Sequence, residues 1–433
     1  MPGLLRYDIS TVPLVSLNEH DVSSHMDLSR IILSDPVNKW VFSNIKKDIF
    51  LVGGYIRDLL RGGDVYKDKD YVLKANVREV ALCTARKFNG TFIELRKDQT
   101  CRVALKNGQI LDFSFLKGSI IEDLNTRDFT INAIAWSPDK GIIDPLNGKS
   151  DLKNKIISVV KPENLIEDPL RILRAYRIAA QLGLTIEKNT RSLLSKYAVL
   201  IVNAASERIT EEFFKLLTAE NASFYISMSV NDKILHNILN VTAQRIKLNI
   251  AVLGKFDRFI TKLKRSKLFN SKILTTLDLN RGQGLSRLGL IRLFILLNNR
   301  NSVNDNICGK LRCSNSIINS MRKIQNGIRL SEGRITDRKL YDIFNASDDC
   351  VFEVALLVSV IRQRIVDKFL KRADDFVKFK EKPLIDGYQI QEILNTDPGV
   401  LIGDIQAKIQ KRRFLGITRN KDEAINWIIS NFT

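Results

Sequence analysis

The hydrophobic periodicity of this 433-residue chain changes once, near Pro162, and that change restricts it to a mixed α/β module followed by an all-helical one. From Asp48 to about Val160, short apolar runs bounded by Gly or Asn alternate with a helix-spaced stretch. Ile49–Val52, Tyr71–Leu73, Thr91–Ile93, Cys101–Leu105 and Ile110–Phe113 read as strands, and Val77–Phe88 as a helix between two of them. After Pro162, apolar residues recur at i, i+3 and i+4 through Pro169–Leu182, Ala205–Leu217, Ala251–Leu268, Leu285–Leu297 and Val351–Phe379. These predict helices. The expected fold class is α+β, with the sheet in an N-terminal head and only helices behind it.

Charge narrows the partner. Lys and Arg number 68 against 48 Asp and Glu, a formal net charge of +20. An excess of that size attracts polyanions, and nucleic acid is the usual one. Five scattered cysteines without a Cys-x-x-Cys pair, and only three histidines, argue against a disulfide framework, zinc sites and histidine general bases. No apolar run approaches the roughly 18 residues of a membrane span. Arg6, Asp8 and Pro13 interrupt the region where a secretion leader is apolar. The expected location is the cytoplasm.

Three short constellations carry chemistry. In the first, Gly53-Gly54 between strand and helix lets backbone N–H groups approach phosphates, and Arg57 follows one turn later. Asp68 and Asp70, two positions apart on a strand, point to one face and can share divalent metal, with Asp112 as a third carboxylate from a neighbouring strand. Two Mg²⁺ ions held there would lower the pKa of a 3′-hydroxyl and neutralise a departing pyrophosphate. In the second, Arg127-Asp128 is placed to read ribose hydroxyls and Asn132 a phosphate oxygen; Asp128 is equally suited to cap a helix carrying Phe129, Ile131 and Ala133.

The third is Glu167-Asp168-Pro169-Leu170-Arg171, in which Pro169 suits the first turn of a helix and Arg171, Arg174 and Arg177 form a stripe. A salt-bridged helix would show the same stripe. Cytosine and adenine, however, both present an amino donor beside an unprotonated ring nitrogen. Asp168 accepts from the first and Arg171 donates to the second, whereas guanine and uracil would meet donor with donor. That pair selects C and A without a template.

These blocks, in this order, resemble the class II tRNA nucleotidyltransferases, the CCA-adding family, which share their head with bacterial poly(A) polymerases. The matching stretches are Leu51–Gly54 with Arg57-Asp58, Asp68-Lys69-Asp70, Arg127–Ala133, Glu167–Arg174 and Ser206–Ile209. Leu285–Leu288, Asp386-Gly387, Pro398-Gly399, Ile402-Gly403 and Gly416–Thr418 extend the likeness into a tail that the best-known poly(A) polymerases lack. The resemblance implies a polymerase-beta-like nucleotidyltransferase head over 47–160, a helical neck with the base-reading helix over 161–218, a body over 219–310 and a tRNA-binding tail over 311–433, behind an extension over 1–46. It implies Mg²⁺ on Asp68, Asp70 and Asp112, triphosphate on Gly53, Gly54 and Arg57, ribose on Arg127 and Asp128, and the base on Asp168 and Arg171. Arg174 and Arg177 would then hold phosphates or brace the pocket.

Two departures from the family pattern bear on the product. Thr126 stands where tRNA enzymes usually carry an arginine, as in poly(A) polymerases. Between Asp112 and Leu124 the long flexible loop of full CCA-adding members is nearly absent, as in CC-adding ones. The expected substrates are therefore a tRNA acceptor stem and CTP, with ATP used only by a full CCA enzyme; the rivals are a poly(A) polymerase and a silent RNA-binding protein. Lys255–Lys267 and Lys368–Arg372 are the basic stretches suited to A-form phosphates.

Overall fold

A computed structural model describes residues 25–45, 47–63, 68–239, 241–265, 271–297, 305–362 and 366–433. The chain divides into two compact units, one ending at Asn154 and the other beginning at Lys155.

The first unit is built on a seven-stranded sheet. In chain order its strands are β1 (Ile49–Val52), β2 (Lys69–Leu73), β3 (Thr91–Arg96), β4 (Thr100–Ala104), β5 (Ile110–Phe115), β6 (Ala135–Ser137) and β7 (Gly141–Ile143). Their spatial order is β3-β4-β5-β2-β1-β6-β7, and only the β2–β5 pair is parallel. The first five strands fall where the apolar runs place them. The last two are three-residue strands, too short to show an alternation.

Helices α1 (His25–Ser34) and α2 (Pro36–Asn44) precede β1. Their Leu28, Ile32, Val37, Val41 and Phe42 belong to the same core as Leu51, Tyr71 and Phe113. The extension expected over 1–46 is thus, from His25 onward, part of the head; residues 1–24 lie outside the described residues. Asn38 of α2 makes that join specific. It is fully buried and donates to the Ile32 carbonyl and the Tyr55 hydroxyl, while accepting from Tyr71 at 2.5 Å.

The remaining head helices are α3 (Gly54–Leu60), α4 (Val77–Lys87), α5 (Ile120–Asn125) and α6 (Gly148–Lys153). The helix expected after Asp128 is only a 3₁₀ turn over Thr130–Asn132. Every residue from Asp128 to Ser137 is buried, so this segment threads the core and has no wet face on which an amphipathic helix could rest.

In the second unit α7 (Pro162–Glu167), α8 (Leu170–Leu182), α9 (Lys188–Lys196) and α10 (Ser206–Thr218) follow a short β8 (Ile156–Ile157), which pairs in parallel with β9 (Thr185–Ile186). Thirteen further α-helices complete the described part, from α11 (Ala222–Asn231) to α23 (Lys421–Phe432). The stretch read as continuous over Val351–Phe379 is two helices, Val351–Arg362 and Val366–Glu381. Phe256 and Phe369, in the two basic stretches, are buried and act as core residues; Ser266 and Lys267 lie outside the described residues. No described helix is long and apolar enough to cross a membrane.

Candidate active site

β1 is four buried apolar residues, and its direction is spent at Gly53. There the backbone turns with φ +75°, a region that costs any L side chain steric energy. Space closes the position as well. A Cβ on Gly53 would stand 3.2 Å from Arg127 Nη1 and 3.5 Å from Asp70 Oδ2. The turn therefore packs its bare backbone between the second motif's arginine and the first motif's aspartate. Helix α3 starts at once, and Arg57, on its first turn, donates through Nε to Asp58 Oδ1 (2.8 Å) and through Nη1 to Asn132 Oδ1 (2.7 Å).

Asn132 in turn donates to Asp128 Oδ1 at 2.9 Å, and the Phe129 amide donates to the same oxygen at 2.8 Å. Asp58, Asp128 and Asn132 are all buried. The line Asp58–Arg57–Asn132–Asp128 is thus a satisfied polar network beneath the glycine turn, of the kind that fixes a geometry. Arg127, just past the end of α5, is aimed by Asp123 of that helix, which accepts from Nε (3.1 Å) and Nη2 (2.9 Å).

Register sets the carboxylates. Asp70 on β2 lies opposite Val52 on β1 and opposite Asp112 on β5. Residues in register on adjacent strands share a face, so the two carboxylates stand side by side. Lys69 between Asp68 and Asp70 points the other way. It is fully buried, with its ammonium 3.2 Å from Asp35. Asp68 sits just before β2, and its Oδ1 accepts from the Ile110 amide at 3.3 Å.

Asp112 is not alone. Arg102 of β4, its register partner, donates Nε to Oδ1 and Nη2 to Oδ2, each at 2.8 Å. That fork holds the guanidinium pKa above its ordinary value against the cost of desolvation, with the Asp68 and Asp70 charges adding to it. Asp70 and Asp112 thus stand side by side in register, and Asp68, two positions before Asp70, is tied to Ile110, two positions before Asp112. Among the described residues no three His, Cys, Asp or Glu side chains form a ready metal cluster. The donors are nonetheless of the right kind: hard carboxylate oxygens on an open face, beside a glycine that leaves room at Asp70.

From Phe115, the end of β5, to Ile120, the start of α5, only Leu116–Ser119 intervene. Leu116 donates to the Leu73 carbonyl at 2.8 Å. Ser119 caps α5 in a capping box with Glu122, whose carboxyl is held below its usual range by hydrogen bonds from Ser119. The connection is short and tied at both ends.

In the second unit, Pro169 precedes α8, and Asp168 accepts from the Leu170 amide at 3.3 Å. Along α8 every residue from Leu170 to Ala180 is buried except Arg171, Arg174 and Arg177, so the arginines occupy its one partly open face. Arg177 is a brace. It donates to Glu212 at 2.7 Å and to Gln181 at 2.9 Å. Asp168 is gripped by Arg208 of α10, Nη2 to Oδ2 at 2.9 Å and Nη1 to Oδ1 at 3.3 Å. Sequence reasoning assigned no role to Arg102, Asp123 or Arg208. Only Arg208 left a signal, within Ser206–Ile209.

Comparison with known proteins follows the same division. Residues 114–158 match the poly(A) polymerase head domain model, and residues 183–245 match the model described as the probable RNA and SrmB-binding site of polymerase A. A CC-adding tRNA nucleotidyltransferase of Synechocystis is 29% identical over 391 residues, covering 87% of this chain and 91% of that protein. Over most of its length the chain is similar to the class II tRNA nucleotidyltransferases. A second member, the CC-adding tRNA nucleotidyltransferase of Halalkalibacterium halodurans, is 37% identical over 177 residues, 41% of this chain and 46% of that protein. The fold is that of the Thermotoga maritima CCA-adding enzyme complexed with tRNA, with a TM-score of 0.69 at 21% identity over 94% of this chain and 98% of that one. Nucleotidyltransferases of this family generally use divalent metal ions.

Proposed function

We propose that this protein adds two cytidylates to the 3′ end of tRNA from CTP and leaves the terminal adenosine to another enzyme. In each step the RNA 3′-oxygen attacks the α-phosphorus of CTP, its proton leaves, and pyrophosphate departs. The observation that carries the reading is the Gly53 turn set against Asp70 and Arg127, with Asp70 in register with Asp112. The absence of a switching loop between Phe115 and Ile120, and the CC-adding relatives, support C-only addition.

Asp68, Asp70 and Asp112 are the residues we assign to Mg²⁺, which when bound would acidify the 3′-hydroxyl and offset charge on the pyrophosphate. The amides around Gly53 and Gly54, with Arg57, receive the triphosphate. Arg127 and Asp128 take the ribose, with Asp123 fixing the arginine's direction. Asn132 acts through Arg57, to which it is bonded, more than by direct phosphate contact. In the second unit Asp168 and Arg171 read the base edge, Arg208 grips and orients Asp168, and Arg174 and Arg177 support that face. The helices over 311–433 are assigned to the tRNA and those over 219–310 to the body between.

A sequencing gel decides the product. With a tRNA ending at the discriminator base and all four nucleotides, two added C residues are expected. A third residue, A, would make this a full CCA enzyme, a long A ladder would make it a poly(A) polymerase, and no extension would leave an RNA-binding protein. Arg171→Ala should cost roughly tenfold to a hundredfold in preference for CTP over UTP, because the mismatched donor pair is no longer penalised. Single-turnover incorporation of each nucleotide measures it. An unchanged preference would remove Arg171 from base reading.

A further inference from the structure

We propose that Arg102 is a built-in counter-ion that latches Asp112 and has to release it before a divalent cation is taken, so that Arg102 sets how tightly the head binds metal. The inference rests on the reading of Asp70 and Asp112 as metal ligands. Sheet register puts Arg102 opposite Asp112 and Asp112 opposite Asp70, so one cation and two carboxylates stand in a row on one face. Adjacent strands lie about 5 Å apart, close enough for the two carboxylates to repel each other without a cation between or beside them.

Arg102 supplies that cation from within the chain. Its fork engages both oxygens of Asp112 at 2.8 Å and so competes with a metal for that carboxylate's charge and lone pairs. The pair is also within reach of water, at 37% and 23% side-chain exposure, so the arginine exchanges without crossing a dry interior. Metal and guanidinium compete for one carboxylate. A residue that merely oriented Asp112 would need to hold only one of its oxygens; Arg102 holds both.

The test uses the full chain and Mn²⁺ as probe, with free Mn²⁺ read by electron paramagnetic resonance and folding checked by circular dichroism. Arg102→Ala should bind Mn²⁺ about tenfold more tightly, and Arg102→Lys, which keeps the charge but loses the fork, should gain about threefold. The gain from Arg102→Ala should vanish when it is combined with Asp112→Asn. Equal or weaker Mn²⁺ binding by both Arg102 variants would overturn the latch and make the arginine an orienting or structural group. If instead Asp70→Asn left Mn²⁺ binding by the otherwise unaltered chain intact, the metal-ligand reading itself would fall, a result separable from failure of the latch.

Discussion

Asp70→Asn should lower the rate of nucleotide addition by roughly a thousandfold, because it removes the carboxylate that lies between the glycine turn and Asp112. The change is isosteric, and Asp70 is an exposed position on β2, so the sheet is expected to persist. Binding of tRNA should move by no more than about twofold, since affinity for RNA draws chiefly on cations meeting phosphates. Single-turnover addition on an acceptor-end substrate and filter binding of the same RNA measure the two quantities. Addition within tenfold of the unaltered protein would show that the row Asp70–Asp112 is not where the metal chemistry takes place.

Gly53→Ala should damage both stability and activity. At φ +75° an L residue is strained by about 1–2 kcal/mol, which a thermal melt of the full chain would register as lost stability. The new Cβ would also press on Arg127 Nη1 at 3.2 Å. Displacing that arginine or Asp70 by a fraction of an ångström is expected to cost addition a further hundredfold or so, as misplaced reacting groups do. Gly54→Ala is the control. Its backbone is helical and an added Cβ meets nothing closer than 3.6 Å, the Arg57 Nη2 nitrogen. If both variants retained activity, the turn would not be a phosphate cradle.

Much of this arrangement is legible before folding. Gly53-Gly54, Asp68-Lys69-Asp70 and Asp168-Pro169 are local patterns whose meaning depends on spacing of one to three residues, and strands and helices honour such spacing wherever they are placed. The alternation of Asp68, Lys69 and Asp70 is one case, since outward, inward, outward follows from the pleat alone. What the inward lysine meets is another matter. Asp35, its partner, is the N-cap of α2, in a region that the motifs leave unaccounted for.

The same limit explains the pairings that the order of residues does not give. Arg102 meets Asp112 because a hairpin register sets them opposite, Arg208 meets Asp168 across 40 residues, and Asp128 faces Asn132 instead of opening a helix because its whole segment is buried. By itself the order of residues determined a sheet-bearing head before a helical remainder, the glycine turn, the acidic strand and the arginine-lined helix face, since periodicity and backbone sterics act over a few neighbours. Tertiary structure alone decided which charge answers which: a side chain's partner is fixed by whichever strand or helix packs beside it, and nothing in its immediate neighbours along the chain encodes that choice.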